Sequence, residues 1–135
     1  MQGEGLKQIT EGHRAAKPYC WGSLYWQIDD CWPTISWSTM DYYYRWKASH
    51  YLVKAANQPI IITPVEANGS ATLTIVGVND SNASSVGKLE VTIKDFNGKV
   101  LQRQSDQISL KQNDSKALYT LPLQELRQKY DTSTT

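Results

Sequence analysis

The chain has 135 residues, with 14 basic and 13 acidic side chains and a net charge of +1. That length suits one domain of ordinary size. The balanced charge and the lack of a basic stripe exclude counterion-driven nucleic-acid binding. No apolar run approaches the ~20 residues of a membrane span, so neither nucleic acid nor a membrane is an expected partner. Composition is uneven, however. Of the 14 aromatic residues, 11 lie between Tyr19 and Tyr51. The second half carries Val, Ile, Leu and Thr interleaved with Asn, Ser, Gly and Asp. Two compositions in so short a chain point to pieces of two domains, residues 1–57 and 58–135.

In chain order, residues 4–16 are expected to be helical, with Leu6, Ile9, His13 and Ala16 on one face. Lys17-Pro18 stops that helix, because a residue before proline avoids the α region. His13 reads as a boundary side chain. Cys20 to Ile28 is a short, nearly continuous apolar run, which suits a strand buried on both faces of a parallel sheet. Cys20 and Cys31 fall beyond opposite ends of residues 21–26 and are expected to be two free, buried thiols, too far apart for a disulfide. No His cluster accompanies them, so no metal site and no cofactor are implied. Asp29-Asp30-Cys31-Trp32-Pro33 is a loop. Asp41 is placed to cap a second helix over about 42–56, with Tyr44, Ala48, Tyr51, Leu52 and Ala55 forming its apolar stripe. Helix, strand, long loop, helix is the rhythm of an α/β unit.

From Pro59 the period changes. Six strands are expected: 60–65, 71–78, 88–94, 99–104, 107–110 and 116–121. Asn68-Gly69, Asn79-Asp80-Ser81 and Asn97-Gly98 punctuate them, and Asn97-Gly98 is a strong hairpin signal. Asn68, Asn82 and Asn113 also begin Asn-x-Ser triplets, which are common by chance. Alternation such as Leu89, Val91, Ile93 against Glu90, Thr92, Lys94 indicates one buried and one wet face, hence an antiparallel immunoglobulin-like sandwich. It looks incomplete, ending in the polar tail Thr132-Ser-Thr-Thr.

The chemistry concentrates in residues 19–37. Trp21, Trp26, Trp32 and Trp37 stand beside Gln27, Asp29 and Asp30. Apolar ring faces can cover the C–H patches of a pyranose while the amide and carboxylates take its hydroxyls. Tryptophans that simply fill a core are the bland alternative. Adjacent Asp29 and Asp30 point to opposite faces of an extended segment and make a poor catalytic pair. A lone parallel strand between two helices has nothing to pair with, so its neighbours are expected in sequence upstream.

Lys17-Pro-Tyr-Cys-Trp-Gly-Ser-Leu-Tyr-Trp-Gln-Ile-Asp-Asp-Cys-Trp-Pro-Thr-Ile-Ser-Trp-Ser, followed by Asp41-Tyr-Tyr and Arg45-Trp-Lys-Ala, resembles the end of the catalytic barrel in β-mannosidases of glycoside hydrolase family 2. The match covers about the first 57 residues; the β-rich remainder agrees in architecture only. The resemblance implies the last helix–strand–helix unit of a TIM (β/α)8 barrel, with residues 4–16 as its seventh helix, 21–26 as its eighth strand and 42–56 as its eighth helix. An immunoglobulin-like β-sandwich then follows. It implies that Trp26 walls the sugar subsite, with a cis peptide bond after it, and that Gln27, Asp29, Asp30 and Trp32 lie at the substrate, a β-mannoside or oligosaccharide. The family commonly has Asn where this chain has Asp29, and a carboxylate cannot donate as an amide does.

The family's two catalytic glutamates, at the ends of strands four and seven, fall upstream of Met1. The resemblance therefore implies a fragment of an exo-acting retaining β-mannosidase that is inactive alone and needs the N-terminal part of its barrel as partner. Its compartment would be periplasmic or secreted in a bacterium and lysosomal in an animal. Two alternatives stay open: a free-standing carbohydrate-binding β-sandwich module, and a fragment of a related exo-β-glucosaminidase.

Overall fold

The computed structural model describes residues 1–66 and 71–130. Asn68-Gly69 and the tail 132–135 lie outside the described residues.

Helix α1 runs Gln2–Ala15. Its buried positions are Gly3, Thr10, Glu11 and Arg14, not the expected Leu6, Ile9, His13 and Ala16 stripe; Ile9 and His13 are exposed. Polar anchoring explains the rotation. Thr63 donates its hydroxyl to Glu11 Oε2 at 2.8 Å, and the Arg14 guanidinium donates to Gln58 O at 2.7 Å and Asp80 Oδ2 at 2.9 Å. Buried polar groups need such partners, so they, rather than Ile9, select the inward face. Helix α2 runs Ala48–Ala56 and buries Ser49, Val53 and Ala56. Its start is later than the expected residue 42. The Asp41 carboxylate does not cap a helix; it accepts from the backbone N–H groups of Tyr43 (2.9 Å) and Arg45 (3.0 Å). It thereby closes a turn in which Tyr44 has φ 61°. Met40 and Trp46 then bridge antiparallel, which delays the helix to Ala48. The two helices touch where Gly3 has no side chain: a Cβ there would lie 2.9 Å from Ser49 Cα.

The apolar run 20–28 forms no β-ladder among the described residues. A strand is defined by a hydrogen-bonded neighbour, and here Gln27 O and Ile28 O accept from Thr39 and Met40 and Cys20 N donates to Ala16 O, which makes no ladder. Cys20 and Cys31 are free, but Cys31 is exposed and Cys20 half-buried, again because nothing lies beside this segment.

Five strands follow: β1 Ile60–Glu66, β2 Thr72–Asn79, β3 Ser85–Lys94, β4 Val100–Leu110 and β5 Asp114–Pro122. The expected strands 99–104 and 107–110 are one continuous β4, because Ser105 and Asp106 between them pair with Glu90 and Leu89 of β3. A helix not anticipated from the sequence, α3 (Leu123–Tyr130), closes the described chain. All pairing is antiparallel, in a three-stranded sheet ordered β1-β2-β5 and a two-stranded sheet β3-β4. Asn97-Gly98 does make the β3–β4 turn. Gly98 has φ 87°, and the Asp95 carboxylate accepts from the N–H groups of Asn97 (3.0 Å) and Lys99 (2.8 Å).

Register fixes which face of the larger sheet meets what. Ile61↔Val78, Thr63↔Val76 and Val65↔Thr74 are direct pairs, so their side chains share a face. Ile61, Val76 and Val78 form the core there, with Ala15 of α1 and Val65 packed on it. Gly77 points the other way, toward Leu110 of β4 and Leu118 of β5. A Cβ at Gly77 would lie 2.7 Å from Leu118 Cδ1 and 2.8 Å from Leu110 Cδ2, whereas one at Gly87 meets nothing within 4 Å. Gly77→Ala is therefore expected to lower stability by about 1–3 kcal/mol through overpacking. Gly87→Ala should change it by no more than about 0.5 kcal/mol. Thermal unfolding of the two variants checks this pair.

Candidate functional site

The segment from Tyr19 to Met40 has little regular structure and is held by side chains at both ends. His13 of α1 pairs through Nδ1 with Ser23 Oγ at 2.7 Å. The Gln2 amide donates to Trp37 O. Between these ties the aromatic rings face outward. Trp26 is 74% exposed, Trp21 and Trp32 are each 67% exposed, and Trp37 and Trp46 are also open. None of the five indoles is buried among the described residues. The Trp26–Gln27 peptide is cis, as the family resemblance implies, and so is Lys17–Pro18.

The two aspartates part company, as expected for neighbours on an extended segment. Asp29 is exposed, while Asp30 is buried. Asp30 Oδ1 accepts from Ser36 Oγ at 2.5 Å and Oδ2 from Ser38 Oγ at 2.7 Å. Lys47 Nζ stands 3.4 Å from the same Oδ2 and 2.6 Å from Ser38 Oγ. Two hydroxyls and a lysine hold this carboxylate. The hydroxyls of Ser36 and Ser38, aided by Lys47, hold the Asp30 carboxyl below the usual carboxylate range. Asp41 is likewise lowered, first by the Arg45 backbone N–H and then by the Arg45 side chain.

Trp26, Asp29 and Trp32 thus lie on an open surface, Gln27 is half-buried, and Asp30 turns inward. The residues that organise them were not singled out from the sequence. They are Ser36, Ser38, Thr39 and Lys47. The short run of small hydroxyl residues Ser36-Trp-Ser-Thr after Pro33 was the available signal, since such side chains serve as local hydrogen-bond partners. His50 of α2 bonds Thr39 Oγ1 through Nδ1 at 3.1 Å and packs on Trp46 with ring centroids 4.5 Å apart. No group of three His, Cys, Asp or Glu side chains that could hold a metal occurs among the described residues. No helix among them is long and apolar enough to cross a membrane.

An open aromatic segment flanked by polar groups thus precedes a two-sheet antiparallel domain. Residues 71–135 match the family model described as Mannosidase Ig/CBM-like domain. The chain is 30% identical over 135 residues to a β-mannosidase of Capra hircus, covering 93% of this chain and 15% of that protein. It is 38% identical over 77 residues to β-mannosidase A of Aspergillus oryzae, covering 57% of this chain and 8% of that protein. A crystal structure of β-D-mannosidase from Dictyoglomus thermophilum superposes with a TM-score of 0.77 at 35% identity, covering 90% of this chain and 15% of that one. The chain is a segment of the β-mannosidase type of glycoside hydrolase family 2, its sandwich an Ig/CBM-like domain. It spans no more than 15% of the length of these relatives.

The lowered Asp30 carboxyl sets an acid limit on the loop. A carboxylate whose folded pKa lies below its unfolded value of about 3.9 stabilises the fold above that value, and the gain is lost as pH falls through the folded pKa. The near-UV circular dichroism of the tryptophans should hold from neutrality to about pH 4 and decline below it. Asp30→Asn, which cannot ionise, should lower the signal at neutral pH and remove Asp30's contribution to the acid step.

Proposed function

We propose that residues 1–57 are the end of a (β/α)8 glycosidase barrel and residues 58–135 the immunoglobulin-like domain that follows it. On this reading α1 is the seventh barrel helix, residues 21–26 the eighth strand and α2 the eighth helix. Active sites of such barrels lie at the C-terminal ends of the strands, which puts Trp26 and the loop after it at the sugar. The chain supplies one wall of the pocket of an exo-acting, retaining β-mannosidase, acting on terminal β-D-mannose.

The observation that carries this reading is the exposure of Trp26 on a segment whose following backbone is pinned. Its ring is open while Gln27 O and Ile28 O are tied to Thr39. A rigidly presented ring is what stacking on a sugar requires, because ordering it afterwards would cost entropy. Trp26 lies against the apolar face of the mannose, with Trp32 as a second wall. Gln27 and Asp29 take hydroxyls. Asp30 serves the same site by holding the loop that carries Trp32. The run 20–28, apolar and without a β-ladder here, pairs with parallel strands contributed by the rest of the barrel.

A retaining glycosidase needs two carboxyl groups about 5–5.5 Å apart. Asp30 is committed to Ser36 and Ser38, and Glu11 to Thr63 and Lys7. Neither is free to act with Asp29 as such a pair. The purified 135-residue chain is expected to give no turnover of an aryl β-mannoside above background; turnover would defeat the reading. Methyl β-D-mannopyranoside added to the labelled chain should move the indole N–H resonances of Trp26 and Trp32 and the Gln27 amide. Affinity should be weak, about millimolar or poorer, with one wall of the pocket present. Shifts confined to β3 and β4 would favour a sugar-binding sandwich module instead.

A further inference from the structure

We propose that Thr39, backed by His50, is the positioning residue of the sugar wall, setting where Trp26 and Gln27 stand relative to α2. The assignment rests on the reading above. Thr39 is fully buried. Its N–H is shared between Gln27 O and Ile28 O, both at 3.1 Å, and its carbonyl accepts from Lys47 N at 3.0 Å. Its hydroxyl lies 3.1 Å from Ile28 O, 3.1 Å from His50 Nδ1 and 3.3 Å from the Tyr25 hydroxyl. One side chain therefore touches the residue before Trp26, the residue after Gln27, and the first turn of α2.

Proton arithmetic fixes the roles. A threonine hydroxyl has one proton and two lone pairs. Ile28 O can only accept, so it takes the Thr39 proton. His50 Nδ1 must then carry a hydrogen and donate to Thr39 Oγ1, and the Tyr25 hydroxyl donates to the remaining lone pair. The His50 ring also packs against Trp46, 4.5 Å between centroids, which fixes where the ring stands. Helix α2 thus reads into the exposed wall through His50, Thr39 and Ile28. Asp30 and Ser38 hold the next stretch of loop separately, so loss of Thr39 should displace Trp26 more than Trp32.

Thr39→Val keeps the shape and removes the hydroxyl; Thr39→Ser restores it. The test is nuclear magnetic resonance of the labelled 135-residue chain. It reads the Trp26 indole N–H, the Trp32 indole N–H, the protonation of His50 Nδ1 and the response to methyl β-D-mannopyranoside. Thr39→Val should move the Trp26 indole resonance while leaving Trp32 and the β2 amides in place. It should release His50 from its Nδ1–H form and weaken the mannoside response about tenfold, the scale of one buried donor left unsatisfied. Thr39→Ser should restore all three. An unmoved Trp26 resonance with His50 unchanged in Thr39→Val overturns the proposal. A wild-type chain that ignores the mannoside counts against the sugar reading alone, because the Trp26 and His50 signals still decide the role of Thr39. If Thr39→Val fails to fold, His50→Phe decides. It keeps the ring stacked on Trp46 and removes the donor, and it should shift Trp26 in the same direction; no shift overturns the proposal.

Discussion

The Arg14 guanidinium holds the molecule together. It sits near the end of α1 with its side chain only 10% exposed. It donates to Ala56 O, to Gln58 O at 2.7 Å, to Pro59 O at 3.4 Å and to Asp80 Oδ2 at 2.9 Å. The last carbonyls of a helix have no partner within it, and a cation there also meets the negative end of the helix dipole. Arg14 satisfies those carbonyls at the end of α2 and reaches the residue just beyond β2 in the same fork. Burial pulls its pKa below the ordinary arginine value, but an arginine stays charged throughout the working range. Lys17 joins the same Asp80 carboxylate. Both helices and the three-stranded sheet therefore make one block, and Ser115 adds a bond from β5 to Ala15 O at 3.0 Å.

That block is the frame for the segment between the helices. Residues 19–40 cannot hold themselves, because an isolated extended run satisfies few of its own backbone groups. They are pinned at a few points: Ser23 on His13, Trp37 on Gln2, Thr39 on His50, and Asp30 on Ser36, Ser38 and Lys47. All are polar ties, and none uses an indole. The apolar rings are left over, standing outside the bonded framework as open surface. Such a surface needs a cover. In the reading proposed for this chain, sugar covers one part and parallel strands cover the rest.

Much of this was legible in the sequence and some was not, for physical reasons. The sandwich strands could be read because alternation at Leu89, Val91 and Ile93 follows directly from the pleat. Asn97-Gly98 was equally plain, since few residues accept the φ that Gly98 adopts. Helix existence was readable but not its buried face: Glu11 and Arg14 turn α1 inward through partners more than 40 residues away, which local periodicity cannot reveal. Asp41 carries the right chemistry for a helix cap but spends it on the turn before Trp46. Among the residues proposed for the sugar wall, Trp26, Gln27, Asp29 and Trp32 could be picked out by residue type. Ser36, Ser38 and Thr39 could not, because a hydroxyl becomes a latch only once the fold has brought Asp30, Lys47 and His50 to it. The run 20–28 has strand composition and no ladder: composition reports what a segment can pair with, and pairing requires the partner.

The central claim is that the indoles of residues 19–37 form a wall left uncovered by this chain's own atoms. Acrylamide quenching of tryptophan emission in the dilute, folded chain tests it most directly. The account predicts emission close to that of indole in water and quenching nearly as efficient as for free tryptophan, while the circular dichroism of the sandwich stays native. Emission shifted to the blue and shielded from acrylamide in the monomer would mean that the aromatic segment packs into a core of its own, and the wall would not exist.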